Sequence, residues 1–338
     1  MKKSRAAVAL SGGIDSGIAA STLKEQGFEV MGFFMRLNPD FKEAEEKARG
    51  IASVLNIPFF VFDLRKEFKE RIIKQFLEEL KKGITPNPCV FCNEQIKFGL
   101  FSEKVKRFKP DFIATGHYAR IKKKGKKIKL LQAKDKTRDQ TYFLWRLNQK
   151  KLNKVLFPLG NLLKENIKRE AQKKNFPVFP YSESQEICFI PEKLEQFLKK
   201  NLRTKKGKIV NEKGKVLGEH QGLWFYTIGQ RKGIGLAGGP YYVVRKNYKS
   251  NVLIVSKDEN LLFQKRIELK KVNWLRKVNL PLKVKAKIRY GQKEAPARVY
   301  SKSKKLILEF EKDQRAITPG QSAVFYQKGE LLGGGIIR

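Results

Sequence analysis

Six consecutive residues near the start of the chain, Ser11-Gly12-Gly13-Ile14-Asp15-Ser16, have the types and spacing of an anion cradle. Two glycines let a backbone approach a phosphate closely and adopt positive φ. A helix starting just after them would add unpaired N–H groups and the positive end of its dipole. Ser11 and Ser16 bring hydroxyl donors, and Asp15 could cap the loop or help place a magnesium ion. No Gly-Lys-Ser/Thr follows, so this is not a Walker loop. The competing reading is a helix-capping turn that happens to contain two glycines. Sulfur is the second chemical feature. Cys89 and Cys92 stand in Cys-x-x-Cys spacing, with Cys188 far along the chain. Three cysteines, an odd count, argue against a disulfide framework. They are either inert core thiols or a reactive set.

The elements that must hold these groups follow from periodicity. Residues 5–10 form a short apolar run ending in glycines, as a buried parallel strand does. Residues 16–26 carry apolar positions at helical spacing. Strands are expected at 30–35, 58–62 and 112–114, and helices at 43–55 and 68–81. Strands alternating with helices predict an α/β fold with a doubly wound parallel sheet. Ligands of such sheets lie beyond the carboxyl ends of the strands, where both the Ser11 loop and Gly116-His117 fall. Residues 121–131 read as a lysine-rich hairpin turning at Gly125, and 161–177 and 192–202 as helices. After about residue 203 short alternating runs punctuated by Gly207, Gly214, Gly218 and Gly222 take over. That pattern predicts a small β-rich domain and then a C-terminal β-barrel. The expected divisions are 1–202, 203–264 and 265–338.

Composition bounds the function. The 338 residues suffice for two or three domains, and 41% apolar content excludes a disordered tail. The formal charge of +40 favours a polyanionic partner. A lysine-biased composition without a partner is the bland alternative. No apolar run approaches a membrane span, and Gly12-Gly13 and Asp15 interrupt the only faint signal-like start. A cytoplasmic protein with no membrane partner is expected.

The loop resembles that of the PP-loop ATP pyrophosphatase superfamily, with Gly17 where relatives often carry Ser or Thr. Around it stand Ala114-Thr-Gly-His-Tyr-Ala-Arg120, Thr85-Pro-Asn-Pro-Cys-Val-Phe-Cys-Asn-Glu-Gln-Ile-Lys-Phe98 and Glu183-Ser-Gln-Glu-Ile-Cys-Phe-Ile190. Phe157-Pro-Leu-Gly160, Tyr226-Thr-Ile-Gly-Gln-Arg-Lys232, Ile317-Thr-Pro-Gly-Gln321 and Leu332-Gly-Gly-Gly-Ile336 follow. Through these separated motifs the chain resembles the tRNA-specific 2-thiouridylases, the MnmA family, over essentially its whole length.

The resemblance implies ATP-dependent thiolation of the wobble uridine of tRNA, releasing AMP and pyrophosphate, with Mg2+ accompanying ATP. By motif position it implies ATP contacts at Ala9, Leu10, Ser11, Gly12, Gly13, Ile14, Asp15, Ser16, Met35 and Gly116. Cys92 matches the family's nucleophile and Cys188 its persulfide carrier. Positions Asn87, Pro88 and Cys89 match the segment that faces the target base. His117, Arg138, Asp139, Gln140, Arg289, Tyr290 and Gln321 match tRNA-contacting positions. On residue type alone, His117 could instead hold a loop by hydrogen bonds, Met35 could be core, and Arg289-Tyr290 could be a solvated strand pair. The 122–127 lysines could reach the tRNA backbone or simply be solvated. Many relatives carry Asp where this chain has Cys89. Two routes therefore stay open: a persulfide on Cys188, or a [4Fe-4S] cluster held by Cys89, Cys92 and Cys188 with one iron free for sulfide. Either needs a sulfur donor, a cysteine desulfurase or a sulfur-relay protein. An amide-forming PP-loop synthetase and a catalytically dead tRNA-binding protein are the rival readings.

Overall fold

The strand β1 (Arg5–Leu10) sits in the middle of the first sheet. Its residues from Ala6 to Leu10 are all buried, which is why the run has to be apolar throughout. The computed structural model describes every residue except 1–2, 39–40, 126, 178–186 and 191–192. After β1 come the helix α1 (Ile14–Glu25), β2 (Glu29–Arg36), the helix α2 (Lys42–Val54), β3 (Phe59–Asp63) and β4 (Phe112–Thr115). The hairpin β5 (Ala119–Lys124) and β6 (Lys127–Gln132) and the short β7 (Val155–Leu156) follow. The sheet runs β3-β2-β1-β4-β7, parallel throughout. The expected alternation of strands and helices is present. The expected helices at 161–177 and 192–202 are shorter, Lys164–Lys173 and Leu194–Asn201.

A second sheet contains β8 (Gly207–Val210), β9 (Val216–His220), β10 (Tyr242–Asn247) and β11 (Val252–Ser256), in the order β10-β11-β8-β9. It has its own small core of Ile209, Leu223, Val243, Leu253 and Val255. The remaining strands are β12 (Phe263–Trp274), β13 (Leu282–Lys287), β14 (Ala295–Lys302), β15 (Lys305–Arg315), β16 (Ser322–Gln327) and β17 (Glu330–Ile337). They run β12-β15-β14-β13-β16-β17, and β12 pairs again with β17. The result is a closed six-stranded barrel, which leaves no free edge among these strands.

The lysine-rich hairpin is not a free arm. Its β6 pairs antiparallel with β17, setting Leu130 against Leu331, so this hairpin of the N-terminal half extends the barrel's sheet. β17 is buried along its whole length because the barrel core covers one face and the N-terminal half the other. Trp145 fills that contact: its Nε1 donates to Ser322 Oγ at 3.0 Å, and Gly334 leaves the space its ring needs. Tyr142 donates its hydroxyl to the Ser322 carbonyl at 3.0 Å. No helix among the described residues is long and apolar enough to cross a membrane.

Candidate active site

The Ser11–Ser16 loop lies at the carboxyl end of β1 and opens directly into α1. Gly12 has φ +81°, and a Cβ there would overlap the Ala44 carbonyl oxygen. Gly13, also expected at positive φ, is instead extended at φ −90°. A Cβ on Gly13 would meet only Ser11 Oγ, at 3.6 Å, so its missing side chain leaves open space above the helix start. No side chain caps that helix. Ser16 Oγ is spent inside the loop, donating to the Gly13 carbonyl at 2.9 Å and accepting the Ser11 N–H at 3.0 Å. The loop thus has the shape of an anion cradle, with no side chain capping the first turn of α1. Gly17 is glycine for packing reasons: a Cβ there would come within 2.8 Å of the Phe176 ring.

Asp15 is not a cap. Both its oxygens are held by Lys164 Nζ, at 2.7 and 2.9 Å, and Oδ1 also accepts the Tyr118 hydroxyl at 2.7 Å. The Lys164 side chain is 8% exposed, so a buried ammonium stands beside the Ser11–Ser16 loop. Burial, and then the Asp15 carboxylate, keep the Tyr118 phenol protonated. Sequence reasoning singled out neither partner. Tyr118 was legible, being next to His117 in a quoted motif; Lys164 opens an unremarkable lysine-rich helix.

Four consecutive residues from the end of β4, Thr115–Tyr118, tie the loop to the cysteine-bearing run. Thr115 Oγ1 lies 2.8 Å from His117 Nδ1. Gly116 packs against the first turn of α1, where a Cβ would stand 2.8 Å from the Ser16 nitrogen. The His117 ring packs on Phe98 and Phe157 at 5.8 and 6.0 Å between centroids. Burial, and after it the charge of Lys97, hold His117 neutral. Gln140 Oε1 accepts the Tyr118 N–H at 3.1 Å and fixes the turn.

Phe98 belongs to the element that carries two cysteines. Residues 88–108 wind continuously, as α-helix at Pro88–Cys92, π-helix at Asn93–Leu100, α-helix at Phe101–Lys104 and a 3₁₀ turn at Val105–Phe108. Asn87 precedes it with extended backbone and Pro88 opens it, a common helix start. Cys92 is buried and Cys89 half-buried on this run, and Cys188 is exposed on the segment leading to Phe189. All three thiols are free. Burial pushes Cys92 up to about 12 and Cys89 up to about 11, and raises Cys188 as well. Lys97 opposes the rise at each. No group of three His, Cys, Asp or Glu side chains among the described residues is placed to hold a metal ion. The cysteines therefore do not fit the cluster alternative, and no step is derived through one. Of the 183–190 motif, residues 183–186 lie outside the described residues.

Comparison with known proteins decides the family. The sequence matches three family models in succession: tRNA methyl transferase HUP domain over 4–192, tRNA methyl transferase PRC-barrel domain over 195–257, and aminomethyltransferase beta-barrel domain over 264–337. It is 40% identical over 350 residues to tRNA-specific 2-thiouridylase MnmA 2 of Clostridium botulinum strain Langeland, covering 100% of this chain and 99% of that one. It is 41% identical to tRNA-specific 2-thiouridylase MnmA of Halothermothrix orenii, covering 99% of each. To MnmA 2 of Thermoanaerobacter sp. strain X514 it is 42% identical, over 98% of this chain and 97% of that one.

The chain is a tRNA-specific 2-thiouridylase family member.

Within this family frame, the positions expected to meet tRNA fall in two groups. Cys89, His117 and Gln140 gather round the residues just described. Asn87 hydrogen-bonds the Tyr142 hydroxyl, and Pro88 is buried. Asp139 is turned inward, only 4% exposed, accepting the Ala133 N–H at 2.9 Å and the Thr141 hydroxyl at 2.7 Å. Arg289 is not part of a solvated strand pair. It follows β13, and its Nη2 donates to the Ala316 carbonyl at 2.7 Å, to Thr318 Oγ1 at 2.9 Å and to the Ile228 carbonyl at 3.3 Å. It thereby joins the barrel to the middle domain. Tyr290 is 40% exposed and lies against Phe143 at 4.5 Å between centroids. Gln321 donates to the Thr85 carbonyl at 2.8 Å, just before the cysteine-bearing run. Met35 is buried in β2 opposite Phe62.

Proposed function

We infer that the chain catalyses ATP-dependent 2-thiolation of the wobble uridine of tRNA. The observation that carries this is the short tract Thr115–Tyr118, which packs on the phosphate loop at Gly116 and Tyr118 and on the cysteine-bearing run at His117. Activation and sulfur delivery thus share one wall, in a chain of this family. ATP would rest along Ala9–Ser16 with Gly116 and Met35 beside it. The pyrophosphate would lie over Gly13 and the open start of α1. Mg2+ would come with the nucleotide; an aspartate at the loop suits such a cation, but Lys164 holds Asp15 here.

The uridine must leave the anticodon stack for its C2 to be reached. Asn87, Pro88, Cys89, His117, Arg138, Asp139 and Gln140 would surround it, with Arg289, Tyr290 and Gln321 engaging tRNA further out. The C2 oxygen attacks the α-phosphorus, pyrophosphate leaves, and N3 gives up its proton. The terminal sulfur of a Cys188 persulfide anion attacks C2, and AMP departs with the C–O electron pair. The Cys92 thiolate then attacks Cys188 Sγ. The S–S bond breaks toward the base, N3 regains a proton, and 2-thiouridine and a Cys92–Cys188 disulfide remain. A dithiol reductant returns both thiols, and a cysteine desulfurase or sulfur-relay protein reloads Cys188. We place the functional divisions at 1–202, 203–264 and 265–338, supported by the three sheets, although the 119–132 hairpin of the first pairs with β17 of the third.

The test is reconstitution with unmodified tRNA, ATP and a persulfide donor, followed by mass analysis of the wobble nucleoside. Sulfur in place of oxygen, together with tRNA-stimulated pyrophosphate release, is expected. Pyrophosphate release without sulfur would favour an amide-forming PP-loop enzyme, and neither signal would favour a binding protein.

A further inference from the structure

We propose that Lys97 is the positioning cation of the sulfur-transfer site, holding the negative charge that passes between the Cys188 and Cys92 sulfurs. This rests on the thiolation reading above. Lys97 shares one continuous helical run with Cys89 and Cys92. Five residues separate Cys92 from Lys97. In an α-helix that step ends about 140° round the cylinder, away from the cysteine. Here the intervening turn is π-helix, Asn93–Leu100, whose wider i to i+5 winding brings Lys97 back toward the cysteine side. π-helical winding is rare, mostly single turns that are frequent at functional sites; this chain has a second, five-residue stretch at Lys69–Ile73.

The neighbouring residues fix the orientation. Phe98 packs its ring on His117 at 5.8 Å, which turns this part of the run toward the tract from the phosphate loop. On the other side Glu94 is taken by Arg146, at 2.6 Å, so that carboxylate is committed away from Lys97. The third thiol is anchored by Phe189, whose ring packs on Phe68 and Phe76 at 5.6 and 5.7 Å. The charge of Lys97 reaches all four groups: it lowers the pKa of Cys89, Cys92, Cys188 and His117 alike. Burial pushes every one of those thiols toward its inert protonated form. A cation common to all three is what a relay of anionic sulfur from the exposed Cys188 to the buried Cys92 requires.

The experiment compares Lys97→Gln and Lys97→Arg with the wild-type chain by two readouts. The first is the ratio of wobble thiolation to tRNA-dependent pyrophosphate release. The second is the iodoacetamide alkylation rate of Cys188 at pH 7.5, mapped by peptide mass, with neither ATP nor tRNA present. In Lys97→Gln, thiolation should fall about tenfold more than pyrophosphate release, and Cys188 should alkylate several-fold more slowly, by up to about tenfold for one unit of pKa. Lys97→Arg should recover most of both. Wild-type alkylation in Lys97→Gln overturns the proposal. So does equal loss of both partial reactions with no recovery in Lys97→Arg, which marks a merely structural lysine. A wild-type chain that forms no thiouridine defeats the thiolation reading instead, and the alkylation arm still decides whether Lys97 acts on the thiols.

Discussion

The Lys164 ammonium stands 2.7 and 2.9 Å from the two carboxylate oxygens of Asp15, inside the turn where a phosphate would bind. A buried lysine at a helix start opposes the helix dipole unless an anion compensates, and Asp15 supplies that anion. A bound pyrophosphate would offer Lys164 a second and stronger partner in the same place. Replacing Lys164 with Met should therefore slow tRNA-dependent pyrophosphate release by about a hundredfold, the scale for losing one donor to developing charge. Lys164→Arg should lose less. Steady-state pyrophosphate assays across ATP concentrations will show it.

The two loop glycines should fail differently. Gly12 is at φ +81° with the Ala44 carbonyl over it, so Gly12→Ala combines left-handed strain with a collision against backbone. A cost of about 2 kcal/mol or more is expected, visible as a lower melting temperature. Gly13 is extended with room above it, so Gly13→Ala should melt normally while the new methyl group crowds the anion space. Thermal melts paired with nucleotide-binding titrations separate the two. Equal melting losses would contradict the assigned backbone geometry.

Much of the frame around this site is legible in the sequence. The apolar run before Gly12 and the amphipathic helix after Phe41 fixed the sheet and hence the side on which the loop opens. The hairpin at Gly125 was readable too, because a turn glycine and alternating residues are local signals. Its docking on β17 was not, since Leu130 against Leu331 is a pairing between residues 201 apart in sequence that no local period encodes. The same holds for Lys164, whose partner is 149 residues away in sequence. The helical run from Pro88 carries one local signal, Asn-Pro at its start, but its π winding has no sequence signature of its own. The inward turns of Asp139 and Arg289 were hidden because polar residues in loops ordinarily face water.

Cys92→Ser and Cys188→Ser should each abolish thiolation, by at least about a thousandfold, since a hydroxyl neither carries sulfane sulfur nor closes a disulfide. Pyrophosphate release should fall far less in both. The two variants should also differ from each other. With Cys188 retained and Cys92 absent, a mixed disulfide between Cys188 and the base should accumulate, detectable as tRNA covalently attached to protein and released by reductant. Thiolation at the wild-type rate in either variant would remove the paired-cysteine mechanism.

Metal content gives a further check. The described residues offer no three-ligand metal site, and the three thiols are free. Protein purified without oxygen should be colourless and iron-free and should thiolate when given a persulfide donor. Chelator treatment followed by magnesium readdition should leave the rate unchanged. A brown preparation that loses activity with its iron would instead restore the cluster route.

Lys246 allows a test of the middle domain that is independent of the chemistry. Its Nζ donates to the Tyr226 carbonyl at 2.9 Å, and burial lowers its pKa to about 8. In the unfolded chain a lysine titrates near 10.4. Between those values the unfolded state binds more protons than the folded one, so stability rises with pH through this window. Below about pH 8 both states are charged, and the folded state bears the full desolvation cost. Lys246→Met removes this contribution. The wild-type chain should therefore gain about 2 kcal/mol relative to Lys246→Met between pH 7 and pH 10. Denaturant melts of both proteins across that range measure the difference directly, and parallel pH profiles would mean that the ammonium is solvated. Because Tyr226 and Lys246 both lie in the middle domain, a gain confined to its unfolding step would also show that this sheet melts apart from the barrel.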